Sequence, residues 1–242
     1  MAWSEKKKKI TGLILSCVLL FSGCTYFDSD ASLETDAELQ VHFIDVGQGD
    51  SSLIISDDFT VLIDAGERGC GEIVNSYLAE HDIENLDYII ATHPHSDHIG
   101  GMSEVISQND VGTVIIPHIS DDKIPTTKIY GEFLQVIDDK GCKLEESYVG
   151  EVINLGIAEM KVLAPVNDDY SDLNNFSIVT ELEFGNVRFL FTGDAEIKSE
   201  NEIIDSGMLK SADVLKVGHH GSSSSSGKEF LDIVKPEYAV IS

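Results

Sequence analysis

Four potential metal ligands fall within six residues of one another, directly after an apolar run that predicts a buried strand: His93, His95, Asp97 and His98. In extended backbone the side chains of His93 and His95 project to the same side, and Pro94 disfavours helical backbone at His93. One open catalytic metal needs about three protein ligands, so four such groups suggest two neighbouring ions. The alternative is a histidine-rich surface turn without a chemical role.

Composition agrees with one sizeable folded domain. The chain has 242 residues, 42% of them hydrophobic, with 20 glycines and only 5 prolines, which argues against a disordered, collagenous or coiled-coil protein. Its formal net charge of −27 argues against a surface that grips nucleic acid nonspecifically, because such binding uses Lys and Arg to neutralise phosphates. A polyanionic substrate would therefore need a local source of positive charge, such as a bound metal ion.

The N-terminus is predicted to be a signal peptide over residues 1–23. Four lysines, Lys6 to Lys9, precede an apolar stretch from Ile10 to Phe21 that is shorter than the roughly 20 residues needed to span a bilayer. The segment Leu20-Phe-Ser-Gly-Cys24 resembles the lipobox of bacterial lipoproteins, in which the cysteine is lipidated. The resemblance implies an extracytoplasmic protein anchored to the bacterial cell membrane through Cys24, with plain secretion or an uncleaved anchor as alternatives.

Residues 24–38 are acidic and poor in apolar side chains, and they are interpreted as a solvated tether to a domain over residues 39–242. Beyond Cys24, only Cys70 and Cys142 remain. Neither belongs to a CxxC pair, which excludes zinc-ribbon and thioredoxin-like sites, while export would allow a disulfide between them.

Apolar periodicity predicts strands and helices in mixed order, which indicates a layered α/β or α+β domain. Strands are predicted at 40–46, 51–56, 60–64, 86–92, 112–116, 159–163, 176–184, 187–192 and 212–217. Helices are predicted at 72–80, 101–108, 127–139, 195–205 and 228–234. The last residues, 237–242, read as a strand in which the chain stops.

Further candidate ligands follow predicted strands. Asp194 comes after the strand that ends at Thr192, with a helix N-cap as the alternative role. His219 and His220 follow the strand that ends at Val217, and strand alternation would send them to opposite faces, so one of the two is predicted to be a ligand. No metal is assigned to the three other histidines of this region: His42, His81 and His118.

Several motifs together resemble the metallo-β-lactamase-fold hydrolases. The pattern His-x-His-x-Asp-His is accompanied by the segments Val41–Asp50, Val61–Gly66, Phe189–Asp194 and Leu215–Ser222. They are most similar to the hydrolase domain of the competence protein ComEC and its secreted relatives, which include phosphorylcholine esterases. The resemblance implies a four-layer αβ/βα sandwich whose C-terminal strand and helix are expected to be truncated in this chain.

The resemblance also implies two divalent metal ions, Zn²⁺ or alternatively Mn²⁺. One ion would be held by His93, His95 and Asp194, and the other by Asp97, His98, Asp194 and His219. Asp97, Asp194 and His220 are the expected catalytic groups, with His220 a proton donor or phosphate contact or only a loop residue. Asp64 would steady the histidine loop, although it could simply form a turn.

One position departs from the family pattern. A third histidine is usual 19 residues before the bridging aspartate, and here that residue is Asn175. Because an amide is a weak zinc ligand, water or substrate oxygen would complete the coordination, and harder metals such as manganese become plausible. Asn175 and Ser222 are expected beside the ligands or the substrate.

The resulting hypothesis is a lipid-anchored two-metal hydrolase that cleaves a phosphodiester with a metal-bridging hydroxide. The substrate could be nucleic acid or a cell-envelope polymer, and the sequence offers no strong basic surface for a nucleic-acid strand. Two alternatives are a lactam or thioester hydrolase of the same fold and a noncatalytic anchored accessory protein.

Overall fold

Two six-stranded sheets lie face to face in the computed structural model, which describes residues 38–56 and 59–242. The first sheet has the order β1-β2-β3-β4-β5-β6. Its three N-terminal strands pair antiparallel, and β3 to β6 run parallel. The strands are Leu39–Phe43, Ser52–Ser56, Phe59–Ile63, Asn85–Ile90, Asp110–Pro117 and Lys143–Ser147.

The second sheet has the order β12-β11-β10-β9-β8-β7. Strands β7 to β10 form an antiparallel meander, and β11 and β12 continue it in parallel with β10. The strands are Val152–Leu155, Ala158–Ala164, Val179–Phe184, Val187–Phe191, Val214–Lys216 and Tyr238–Val240.

Six α-helices and two 3-10 helices complete the described part of the chain, and three of the four apolar clusters define the layers. One cluster joins the first sheet to α1, α3 and α4, and another joins the second sheet to α5 and α6. A third lies between the sheets and includes Ile63, Ile90, Met160 and Leu182. The fold is therefore the predicted four-layer sandwich. The helices are Gly71–Glu80, Ser96–Ile99, Met102–Gln108, Lys128–Lys140, Ile197–Asp205 and Lys228–Val234.

One edge of this sandwich gathers the ends of strands from both sheets. The parallel strands β3 to β6 all end there, because parallel strands share a direction. In the second sheet β8, β10 and β11 end at the same edge, since β9 runs antiparallel to both β8 and β10. The loops at this edge carry the candidate ligands.

The structure corrects the sequence prediction at several elements. Strands β6 and β7 were not predicted, since Lys143–Ser147 is rich in charge and exposed and Val152–Leu155 is short. The segment before β9 is a 3-10 helix over Leu173–Phe176 rather than the start of a strand. The predicted end strand is confirmed as β12, which pairs parallel with β11.

Several predictions concern residues outside the described part of the chain. The signal peptide, Cys24 and nearly all of the acidic tether lie outside the described residues, so these domain boundaries stay predictions.

Cys70 and Cys142 are both free thiols and do not form the disulfide that export would have allowed.

Candidate metal centre

The histidine loop connects β4 to the short helix α2 and is buried. His93 and His98 have no exposed surface, and His95 precedes α2 with extended backbone. The turn after α2 depends on close backbone contact: a Cβ on Gly100 would lie 2.3 Å from the Ser96 carbonyl oxygen. Only glycine therefore fits this position, because any other residue would place its Cβ against backbone atoms.

Four side chains from three loops form the first candidate cation site: Asp97, His98, Asp194 and His220. The imidazole Nε2 of His98 lies 3.2 Å from Asp194 Oδ1. His220 Nε2 lies 3.3 Å from Asp97 Oδ2 and 3.5 Å from Asp194 Oδ1. The donor atoms thus converge on one point at the sandwich edge.

Three of these buried atoms have no hydrogen-bond partner: His98 Nε2, Asp194 Oδ1 and His220 Nε2. Leaving buried polar atoms unpaired costs free energy, and native proteins contain few of them. Two imidazole nitrogens and a carboxylate oxygen that face one another supply the lone pairs a divalent cation requires. These residues therefore fit a bound metal ion.

A second candidate site combines His93, His95 and Asp194. His93 Nε2 lies 3.0 Å from His95 Nδ1 and 3.7 Å from Asp194 Oδ2. Burial, and then the neighbouring His98 and His95, hold the pKa of His93 well below its ordinary 6.5. The ring is therefore neutral near pH 7, which is the form that binds a cation.

Asp194 belongs to both sites and offers one carboxylate oxygen to each. It follows β10 by three residues, and its backbone N–H donates to Ser177 Oγ at 3.0 Å. Gly193 precedes it with φ of 50°, and a Cβ there would lie 3.0 Å from the Thr92 side chain. This tight approach of the two loops brings the carboxylate between the two sets of imidazoles.

Asp64, which the resemblance predicted to steady the histidine loop, forms hydrogen bonds with that loop. Its carboxylate accepts from His98 Nδ1 at 2.8 Å, and from the Thr92 N–H and hydroxyl at 2.9 and 2.7 Å. With Nδ1–H directed at Asp64, the Nε2 of His98 faces Asp194. Asp64 has φ of 58° and is fully buried, so it forms the turn and orients the ring at once.

The structure corrects the prediction for His219 and His220. Both lie in a 3-10 turn over Gly218–Gly221 with left-handed φ values of 46° and 50°, so strand alternation does not apply. His220 joins the first candidate site. His219 Nε2 lies 4.0 Å from Asp194 Oδ2, while its Nδ1 lies 3.0 Å from Ser224 Oγ and 3.5 Å from Glu196 Oε1.

Asn175 and Ser222 lie near the candidate centre without facing its ligands. Asn175 is buried; its side-chain amide donates to Glu196 Oε2 at 3.1 Å and accepts from the Ser199 N–H at 3.2 Å. It therefore anchors the start of α5 instead of offering its oxygen to a metal. Ser222 shares a hydrogen bond of 3.0 Å with Ser224 Oγ, behind His219.

A buried ion pair next to the centre went unassigned in the sequence analysis. Lys216 Nζ contacts both oxygens of Asp50 at 2.8 Å, and His220 Nδ1 lies 3.4 Å from Asp50 Oδ1. Although burial opposes it, hydrogen bonding with His220 and the charge of Lys216 hold the pKa of Asp50 well below its usual range. Asp50 is the last residue of the segment Val41–Asp50, which the sequence analysis recognised as a family motif without assigning a role to this aspartate.

The remaining described histidines lie apart from these two sites. His42 packs its ring against Tyr77 and His81, with centroids 5.7 and 4.8 Å away. His118 follows β5 and its Nδ1 lies 2.8 Å from Glu146 Oε2.

Comparison with known proteins agrees with this fold. The family profile described as "Metallo-beta-lactamase superfamily" matches residues 44–242. "ComE operon protein 3" of Bacillus subtilis (strain 168) is 33% identical over 224 residues, covering 85% of this chain and 28% of that protein. "Recombination protein 2" of Haemophilus influenzae is 32% identical over 209 residues, covering 84% of this chain and 24% of that protein.

The chain thus spans less than a third of the length of either relative. Among solved structures, "the metallo-beta-lactamase fold protein YhfI from Bacillus subtilis" is 14% identical with a TM-score of 0.52, covering 84% of this chain and 88% of that one, a likeness of fold alone. Within residues 38–56 and 59–242, no helix combines the length and apolar character that crossing a bilayer requires.

Proposed function

We propose that this chain, which belongs to the metallo-β-lactamase superfamily, is a hydrolase that holds two divalent cations and cleaves a phosphodiester. The proposal depends chiefly on one observation: three buried donor atoms converge without hydrogen-bond partners, in side chains of His98, Asp194 and His220. The second set of donors shares Asp194 with the first, which suits a pair of adjacent ions.

The ligand sets follow from the contacts. His93, His95 and Asp194 would hold one ion. Asp97, His98, Asp194 and His220 would hold the other, so that His220 takes the place that the resemblance gave to His219. Imidazole and carboxylate donors suit Zn²⁺. Mn²⁺ is the alternative, because the set of His93, His95 and Asp194 has only three protein ligands.

A bound pair of divalent cations supplies Lewis acidity and activates water near pH 7. The protein's own groups then orient the phosphodiester and manage protons. His219 is 30% exposed in its side chain and has Glu196 behind its Nδ1, while its Nε2 faces Asp194. An imidazole backed by a carboxylate is suited to protonate a leaving oxygen, and we assign that role to His219.

The substrate proposed is a short phosphodiester rather than a long strand. A relative is named for recombination, which favours a nucleic-acid substrate. Several of the described cations are neutralised by carboxylates, as in the pairs Arg68–Glu132, Lys123–Asp169 and Lys228–Asp232. With a net charge of −27 the surface offers little to the phosphates of a polymer.

Hydrolysis of methyl p-nitrophenyl phosphate by the metal-loaded protein tests this proposal. We expect turnover that a chelator removes and that Asp194→Ala and His95→Ala abolish, with His81→Ala as the matched histidine control. Opening of a lactam or thioester without phosphodiesterase activity would show that the substrate class is wrong. No turnover of any of these, with no response to metal, would favour a noncatalytic accessory protein.

The proposed location is the outer face of the cell membrane, with a lipid anchor at Cys24. Two or more acyl chains hold a protein stably on a bilayer, whereas a single chain does not. We expect Cys24→Ala to abolish lipid labelling and to release the protein from the membrane fraction, while Cys17→Ala within the apolar stretch leaves both unchanged. Equal membrane retention of the two variants would contradict the anchor.

A further inference from the structure

A cavity of about 340 Å³ lies at the same edge of the sandwich as the candidate metal centre and has no role in the function proposed above. Its walls come from the loops after β5, β6 and β8. The residues that matter for its chemistry are His118, Ser147, Tyr148, Pro165, Asn167 and Asp168.

The strand register places this cavity in line with the metal ligands. Ile90 pairs with Ile115, and Pro117 pairs with Ser147, so His93, His118 and Tyr148 occupy matching positions just beyond three neighbouring strands. Adjacent strands lie roughly 5 Å apart, so the ends of β5 and β6 lie about 5 and 10 Å along the sheet from the end of β4.

In the second sheet, too, the cavity residues are displaced from the metal ligands along the edge of the sandwich. Asp194 follows β10, and Pro165 follows β8, two strands further along the sheet. In both sheets the cavity residues thus lie to the same side of the metal ligands along this edge. A substrate bound at the metal centre and extending along the edge in that direction would approach the cavity.

An aromatic platform forms one wall. The rings of His118 and Tyr148 are stacked, with centroids 6.2 Å apart and an interplanar angle of 27°. Glu146 fixes both, because its Oε2 lies 2.8 Å from His118 Nδ1 and accepts from the Tyr148 hydroxyl at 3.3 Å. Tyr148 is 60% exposed, so a preformed ring face is available to a ligand.

A polar group beside the platform lacks a partner. Ser147 lines the cavity, is 2% exposed, and its hydroxyl makes no hydrogen bond. The lining includes Asp168 and contains neither Lys nor Arg. These features disfavour a second phosphate and suit an uncharged planar ring with polar edges.

We propose that this cavity binds the nucleobase of a nucleotide whose phosphodiester is cleaved at the metal centre. The proposal rests on the function above for the reacting bond and adds the class of group attached to it. Stacking on Tyr148 and His118 then supplies affinity that the acidic surface does not obtain from phosphates. It also explains how a strongly negative protein could select a short nucleotide substrate.

Kinetics with two esters tests the inference. Thymidine 5′-(p-nitrophenyl phosphate) carries a base, whereas methyl p-nitrophenyl phosphate does not. We expect Tyr148→Ala to raise KM for the thymidine ester about tenfold with kcat unchanged, and to leave the methyl ester unaffected. Tyr148→Phe keeps the ring and should remain close to the parent. Ile157→Ala, an exposed apolar residue at the other end of β8, is the control.

A binding measurement separates failure of the inference from failure of the proposed function. Thymidine and adenosine, which contain no phosphate, are titrated into the full chain in the presence of a chelator and followed by NMR. Shifts centred on the loops after β5 and β6 that Tyr148→Ala removes would support the cavity even without hydrolysis. Shifts elsewhere, no shifts, or an equal KM change for both esters would overturn it.

Discussion

Lys216 Nζ lies 2.8 Å from both carboxylate oxygens of Asp50, and neither side chain is more than 6% exposed. The two residues are 166 positions apart in sequence: Asp50 lies in the loop between β1 and β2 of the first sheet, and Lys216 ends β11 of the second. Asp50 also receives contacts from His220, and its backbone N–H donates to the Asp97 carbonyl oxygen. The pair therefore connects both sheets at the candidate metal centre.

Loss of one partner should be costly. Lys216→Met removes the lysine that pairs with the buried Asp50 carboxylate, and we expect the free energy of unfolding to fall by about 3–5 kcal/mol. The matched control is Lys228→Met, because Lys228 pairs with Asp232 on the surface, and we expect a loss of about 0–1 kcal/mol. Urea unfolding of the two variants checks this, and equal small losses would contradict it.

Metal content distinguishes the two histidines of the 3-10 turn. We expect two divalent cations per parent chain, one after His220→Ala and two after His219→Ala, because only His220 joins a set of converging donors. Asp194→Ala should lose both ions, since both sets share that carboxylate. Elemental analysis after equilibrium dialysis measures the counts. A full pair in His220→Ala would return the ligand role to His219.

Asp64 should affect metal affinity through His98. Asp64→Asn weakens the acceptor of the Nδ1–H bond, and we expect affinity at the site containing His98 to fall about 10–100-fold. Asparagine tolerates the left-handed φ of 58°, so the fold should persist, whereas Asp64→Ala adds backbone strain. Calorimetric titration with Zn²⁺ provides the affinities and thermal melting the stabilities. An unchanged affinity in Asp64→Asn would exclude this support.

The metal-free protein should lose stability in mildly alkaline solution. The neighbouring carboxylate of Asp50, and then that of Asp97, raises the pKa of His220 from 6.5 to about 9. The folded state therefore binds this proton more tightly, so the stabilisation is complete below pH ~6.5 and is lost as the pH rises through about 9. Unfolding of the chelator-treated parent and His220→Gln at several pH values should show a smaller pH dependence in the variant.

The side chains near the candidate metal centre could be predicted from the sequence better than the backbone conformation that orients them. The shared direction of His93 and His95 could be predicted because extended backbone after a buried strand orients alternate residues alike, whereas Asp97 and His98 lie in the helix α2. The same reasoning failed at His219 and His220, where consecutive left-handed residues direct both rings towards Asp194. Local pattern does not reveal positive φ in residues other than glycine.

Contacts between residues that are distant in sequence were the other feature that could not be predicted. Asp50 lay in a recognised motif, yet nothing local indicates that its partner is Lys216 in the opposite sheet. Asn175 was expected near the ligands, but its amide is used by Glu196 and the Ser199 N–H. The charged edge strand Lys143–Ser147 lacks the alternation that indicates a strand, because only one residue in it is buried.

The division of the donor atoms between the sheets affects the kinetics of unfolding. The loop after β4 supplies four of the donors, while Asp194 and His220 arrive from the second sheet after a long stretch of chain. Neither half holds a complete set, so binding of the proposed ions would have to wait until the sheets have docked, a late and nonlocal event in folding. Bound ions would have to be released before the two sheets separate, and we therefore expect the metal-loaded protein to unfold more slowly than the metal-free protein.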